Sequence, residues 1–199
     1  MTLYILLDTS GSMQGAKIGA LNDCMSNIII DLQETAYNGQ NIDLSVMSFA
    51  RSANWMYEEP RSVLDFEWKV LDANGMTSLG EACTELSNHL DVYKSNEIAT
   101  IVLISDGCPT DDFEEGIQSL RENDRFVNAN KFAIAVGQDA DMNCLIEFTD
   151  TRESIYNIDN VSTLFDLLLS LIQKQTTNDS SMCEKFNEQS TPDDGDDWS

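Results

Sequence analysis

An alternation of hydrophobic period from Leu3 to Lys174 narrows the fold more than any other feature of the chain. Short runs that are apolar at nearly every position take turns with longer stretches that are apolar every three or four residues. Leu3–Leu7 is apolar throughout, as a strand covered on both faces requires. Over Lys17–Thr35 the period becomes helical, with Ile18, Leu21, Met25, Ile28, Ile29 and Leu32 on one face. Ile42–Phe49 predicts a second strand. Leu79–Tyr93 predicts a helix with Leu79, Ala82, Cys83, Leu86, Leu90 and Tyr93 inward, and His89 on its polar side as an ordinary surface residue. Ile98–Ile104, rich in Ile, Val and Thr, is a further strand. Asp111 with Glu114 reads as a capping box for a helix carrying Phe113, Ile117 and Leu120. A strand at Lys131–Val136, a helix at Met142–Phe148, a strand at Ser154–Ile158 and a helix at Val161–Gln173 complete the order. One short antiparallel or edge strand is expected between Trp55 and Leu71. Helices between successive strands imply an α/β fold: a doubly wound, mostly parallel central sheet with helices on both faces.

The 199 residues suit one domain, read as 1–175, followed by an acidic tail at 176–199 whose few apolar residues have no useful period. That tail is expected to be disordered. Its seven acids and Lys185 supply −6 of the formal charge of −24, leaving −18 for the domain. So one-sided a charge repels phosphate, which excludes nucleic acid and disfavours an anionic membrane surface. The opening apolar run carries no basic region before it and stops after five residues, so a signal peptide is not expected, and no stretch approaches the roughly 18 apolar residues of a membrane span. Cys24, Cys83, Cys108, Cys144 and Cys183 are dispersed and form no CxxC pair. A disulfide framework or zinc site is not expected, and a reducing cytoplasm is.

Three polar clusters fall at strand ends or in loops beside them, where open α/β sheets bind ligands. They are Asp8-Thr9-Ser10-Gly11-Ser12 after the first strand, Asn74-Gly75-Met76-Thr77-Ser78 before a helix, and Ser105-Asp106-Gly107 after the Ile/Val-rich strand. Two carboxylates and three hydroxyls from these clusters form an all-oxygen, hard donor set. It suits Mg²⁺, or Mn²⁺, better than zinc. Neutral hydroxyls leave room for the waters that magnesium keeps.

Asp-x-Ser-Gly-Ser after a hydrophobic strand, a later Thr in a Gly-containing loop, and Ser-Asp-Gly after another strand resemble the von Willebrand factor type A domain over residues 2–174. The resemblance implies a Rossmann-like fold carrying a metal-ion-dependent adhesion site. It implies Asp8, Ser10, Ser12, Thr77 and Asp106 as the ligand set, with the three hydroxyls direct and the carboxylates partly acting through water. One coordination position would stay open for an Asp or Glu of a protein partner, with Gln14, Met76, Pro109 and Thr110 as the rim. Leu103–Asp111 looks more narrowly like the bacterial tellurite-resistance TerY-type members. That likeness implies a stress or metal-resistance role with protein kinase or phosphatase partners.

Each signal has a plainer reading. Asp8-x-Ser-Gly-Ser alone could be a solvated turn and helix cap, but the matching Thr77 and Asp106 make that the weaker account. Asp111 and Asp112 read as helix-capping charges rather than ligands. Trp55, Met56, Tyr57 and Trp68 read as core or edge packing. The competing function is a divalent-metal phosphohydrolase using Asp8 as nucleophile. However, Ser10 stands where a phosphatase of that kind has its general acid, and no P-loop or Gly-x-Ser-x-Gly elbow occurs. A non-enzymatic binding module is therefore expected.

Overall fold

The computed structural model describes residues 1–95, 97–106, 108–137, 140–158 and 164–177. Its elements are β1 (Thr2–Asp8), α1 (Ala16–Tyr37), β2 (Asp43–Phe49), β3 (Ala53–Trp55), β4 (Arg61–Ser62), α2 (Leu79–Val92), β5 (Ala99–Ser105), α3 (Phe113–Arg121), α4 (Asp124–Val127), β6 (Asn130–Val136), α5 (Met142–Thr149), β7 (Ile155–Ile158) and α6 (Leu164–Thr177). The sheet order is β3-β2-β1-β5-β6-β7, with β4 also on β2. β1, β2, β5, β6 and β7 are parallel. The expected single antiparallel edge strand is in fact two short ones, placed end to end along the outer edge of β2: β3 pairs with Met47–Phe49 and β4 with Asp43–Leu44.

All seven residues of β1 are buried, which is why its sequence shows no alternation. Leu3, Ile5 and Leu7 pack with Leu21, Met25, Ile28 and Leu32 of α1 and with Leu167, Leu168 and Leu171 of α6. Tyr4 and Leu6 pack on the other face with Leu86 and Leu90 of α2, Ile117 of α3 and Phe148 of α5. The doubly wound, mostly parallel fold is thus observed. Met56, Tyr57 and Trp68 lie against the α1 layer and Trp55 against the α2 layer. Among the described residues no helix is long and apolar enough to cross a membrane. The backbone of α6 is helical through Thr177, and the acidic tail from 178 onward lies outside the described residues.

Two sequence expectations need correction. Asp111 does not form a capping box with Glu114; Asp112 caps α3, accepting the Glu115 N–H at 3.2 Å. Asp111 instead caps α2, its carboxylate accepting the Gly80 and Glu81 N–H groups at 3.1 and 2.9 Å. The cause is a close crossing of α2 and α3. A Cβ built on Gly116 would lie 2.1 Å from the Gly80 carbonyl oxygen, so only paired glycines let the loop before α3 reach the start of α2. Nor is His89 on the surface. It is 5% exposed, with its ring 3.9 Å from that of Trp55 and its Nε2 3.1 Å from the Glu58 carbonyl oxygen. The β3 edge carries Trp55 over the carboxyl end of α2, where Tyr4 and Tyr93 complete an aromatic cluster around the imidazole.

Gly116→Ala should lower the unfolding free energy by about 1–3 kcal/mol through overpacking. Gly19→Ala, at an exposed α1 position with open space around it, should raise it by about 0.4–1 kcal/mol. Urea titrations read both. Burial holds the His89 pKa below its ordinary value, so the unfolded chain takes up the proton more readily than the folded one. The stability this residue contributes is complete above the usual histidine pKa of about 6.5 and declines as pH falls below it. The wild-type urea midpoint should therefore drop relative to that of His89→Phe between about pH 7 and pH 5. A constant difference over that range would count against a buried neutral imidazole.

Candidate metal centre

From β1 the chain winds outward through β2 on one side, while β5 and β6 continue on the other. The carboxyl ends of β1 and β5 therefore flank the switch point where a crevice opens in such sheets. Leu7 pairs with Ile104, so Asp8 and Ser105 follow as neighbours on the face shared with Leu6 and Leu103. The Ser105 hydroxyl donates to Asp8 Oδ2 at 2.6 Å, and the Ser10 N–H donates to Oδ1 at 2.8 Å. Asp8 is 0% exposed. Burial pushes its pKa above the ordinary carboxylate value; the Ser105 and Ser10 bonds oppose that rise and the Asp106 charge adds to it. A desolvated carboxylate held in this way is a place where a cation gains energy.

Asp106 lies one residue beyond Ser105 and meets the start of α1. Its Oδ1 accepts the Ser12 hydroxyl at 2.6 Å, and its Oδ2 accepts the Lys17 ammonium. Ser10 Oγ lies 2.9 Å from Ser12 Oγ. Because Ser12 spends its proton on Asp106, Ser10 must be the donor to Ser12, and the chain of protons runs from Ser10 through Ser12 to Asp106. Lone pairs of both hydroxyls stay free for a further partner. Extended backbone at Ser10, followed by one turn of 3₁₀ helix over Gly11–Met13, turns the two hydroxyls to the same side.

Thr77 arrives by a longer route. The segment from Val63 to Thr77 runs back along α1, fastened by three side-chain amides of that helix and the turn before it. Gln33 donates to the Val63 and Phe66 carbonyls, Asn22 brackets Leu71 and accepts from the Trp68 indole, and Gln14 donates to the Ala73 carbonyl. The strap ends where the Gly11 N–H donates to the Gly75 carbonyl at 3.0 Å, close enough that a Cβ on Gly11 would stand 3.3 Å from that oxygen. Thr77 then exchanges two hydrogen bonds with Thr110: its N–H donates to Thr110 Oγ1, and the Thr110 N–H donates to its carbonyl. Thr77 is 5% exposed, and its hydroxyl is in no hydrogen bond with the Ser10–Ser12–Asp106 chain.

The sequence-derived residues Asp8, Ser10, Ser12 and Asp106 are thus joined through direct hydrogen bonds, and Thr77 is delivered beside them by backbone pairing. Ser105, Lys17 and Gly75 are parts that sequence reasoning did not assign, and Thr110 clamps Thr77 rather than only forming a rim. The residues fit a hard divalent cation. Among the described residues no group of three or more His, Cys, Asp or Glu side chains is arranged to hold a metal ion, and the candidate donors here are two carboxylates and neutral hydroxyls, all oxygen. The two carboxylates are offset by a single ammonium.

The family model of the von Willebrand factor type A domain matches residues 2–170, and the chain belongs to that family. Domains of this family commonly mediate metal-dependent protein interactions through such a site. Among solved structures, a von Willebrand factor type A protein from Catenulispora acidiphila aligns at 19% identity with a TM-score of 0.68, over 87% of this chain and 42% of that one. The ArnB paralog VWA2 of Sulfolobus acidocaldarius aligns at 21% identity and TM-score 0.64, over 85% and 44%. Proximal thread matrix protein 1 of the mussel byssus, in a form described as having a zinc-occupied metal-ion-dependent adhesion motif, aligns at 16% and 0.66, over 87% and 45%. The chain therefore spans less than half the length of each of these proteins. No curated protein matches it.

Asp8→Ala removes the buried acceptor of the Ser10 amide and of the Ser105 hydroxyl and should cost about 2–5 kcal/mol in EDTA. Ser12→Ala, on the exposed side of the cluster, should cost about 1 kcal/mol. Urea unfolding in EDTA measures both, and a greater loss at Ser12 than at Asp8 would show that the Asp8 bonds are not the anchor of the site.

Proposed function

We propose that this chain is a metal-dependent protein-interaction module. It binds Mg²⁺, with Mn²⁺ as a substitute, through Ser10, Ser12 and Thr77, with Asp8 and Asp106 as the charged supports. The observation that carries this reading is the Ser10–Ser12–Asp106 hydrogen-bond chain, which ends on a buried carboxylate and leaves hydroxyl lone pairs free at the switch point. When bound, the metal supplies an open coordination position that the carboxylate of a partner's Asp or Glu fills. Asp8 fixes the Ser10 turn, Asp106 orients Ser12, and the strap along α1 holds the Thr77 loop. Met76, 56% exposed at the tip of that loop, is placed to meet the flank of a partner.

Binding rather than catalysis is favoured by Asp8. Both of its oxygens accept hydrogen bonds and it is fully buried, so it lacks the free, accessible oxygen of a phosphoryl-accepting nucleophile. The resemblance of Leu103–Asp111 to TerY-type members supports a bacterial stress or tellurite-resistance complex with a kinase or phosphatase partner. The free thiols of Cys24, Cys83, Cys108 and Cys144 suit a cytoplasmic setting.

Addition of Mg²⁺ to EDTA-treated protein should raise its melting temperature, and Ser12→Ala should reduce that rise. A partner captured by the wild type in Mg²⁺ should be lost in EDTA and retained by no Ser10→Ala,Ser12→Ala double variant. Equal capture in EDTA would refute the metal bridge. Magnesium-dependent hydrolysis of p-nitrophenyl phosphate, abolished by Asp8→Asn, would replace this reading with the phosphohydrolase.

A further inference from the structure

Lys17 is the residue of the site that the ligand set leaves unexplained. It is the second residue of α1, and its ammonium sits on Asp106 Oδ2 while Ser12 holds Oδ1. The two partners differ in freedom: the Asp106 side chain is 0% exposed, whereas that of Lys17 is 40% exposed. The carboxylate is fixed by the fold, and the ammonium sits at its outer rim. Arg51, the other nearby cation, packs its stem on Gly75 and forms no ion pair with Asp8 or Asp106.

We infer that Lys17 sets the charge of the site so that it holds its metal less tightly and an anionic ligand more tightly. The inference rests on the reading of the cluster as a divalent-cation site for a carboxylate. With Asp8 and Asp106 ionised and Lys17 protonated, the fixed charges at the site sum to −1. A divalent ion brings that to +1, and one carboxylate brings it to zero. Without Lys17 the loaded site is already neutral. An incoming carboxylate would then meet no local positive excess, on a chain whose net charge is −24. Like charges a few ångströms apart repel, so the same ammonium opposes the metal. Removing it therefore moves the two affinities in opposite directions, which a merely structural ion pair would not do.

The test uses the full chain, Mn²⁺ as the metal and acetate as the carboxylate. Water-proton relaxation reports Mn²⁺ uptake, and then the loss of metal-bound water as acetate is added. Lys17→Gln, which keeps a hydrogen-bond donor toward Asp106, and Lys17→Met should each bind Mn²⁺ about tenfold more tightly and acetate about tenfold more weakly than wild type. Lys17→Arg should return both affinities toward wild type. Lys94→Met makes the same charge change at the opposite end of the sheet and should alter each affinity less than about twofold, given screening over that distance. Wild type that binds Mn²⁺ while the neutral Lys17 variants bind it equally or more weakly overturns the inference and leaves the metal reading standing. The inference is also overturned if acetate binds the neutral variants as tightly as wild type. Wild type that takes up no Mn²⁺ overturns the metal reading itself.

Discussion

The site depends on a buried carboxylate between two strands. Asp8 ends β1 and faces Ser105 at the end of β5, and each of its oxygens accepts one protein donor. Those bonds make a desolvated charge tolerable at the switch point, and they hold the turn that presents Ser10 and Ser12. The neighbouring Asp106 falls on the side of the sheet occupied by α1, where Ser12 and Lys17 meet it. Two adjacent residues of one strand end, Ser105 and Asp106, thus serve different parts of the same centre because successive side chains leave a strand on opposite faces.

Around that centre the helices act as fixtures more than as walls. The amides of Gln14, Asn22 and Gln33 bond the backbone of the strap that carries Thr77, an extended segment with few internal hydrogen bonds of its own. Asp111 and Arg125 cap opposite ends of α2: the carboxylate takes the first N–H groups, and the guanidinium donates to the Leu90 and Tyr93 carbonyls. Both charges match the polarity of the helix end they face. Buried polar side chains also gather at the end of the sheet away from the candidate site. On the face around Tyr4, among the described residues, Ser45 Oγ and His89 Nδ1 are buried without a protein hydrogen bond, and Arg125 stands near enough to the Tyr4 hydroxyl to oppose the rise that burial gives its pKa. Such a seam fits ordered water better than an apolar core does.

Much of the fold was legible because its cause is local. A strand covered on both faces must be apolar at every position, and a helix against a sheet must be apolar every three or four residues, so β1, α1, β5 and α2 could be read within a residue or two. The Asp8, Ser10 and Ser12 turn was legible for the same reason. His89 was misread because its helix position suggests solvent, and only the antiparallel edge strand brings Trp55 over it. Asp111 was assigned to the wrong helix because its true partner lies about thirty residues earlier, across a contact that two glycines permit.

The sequence by itself determined the strand–helix alternation, the acidic character and the all-oxygen chemistry of the candidate donors, since these depend on residue type and near spacing. The tertiary structure decided which donors share a carboxylate, that Ser105 supports Asp8, that Lys17 neutralises half the charge of the carboxylate pair, and that the loop of Thr77 is held by α1. Those pairings join residues up to 97 positions apart. Strand order and parity fix them, and no pattern within a short window of sequence encodes either.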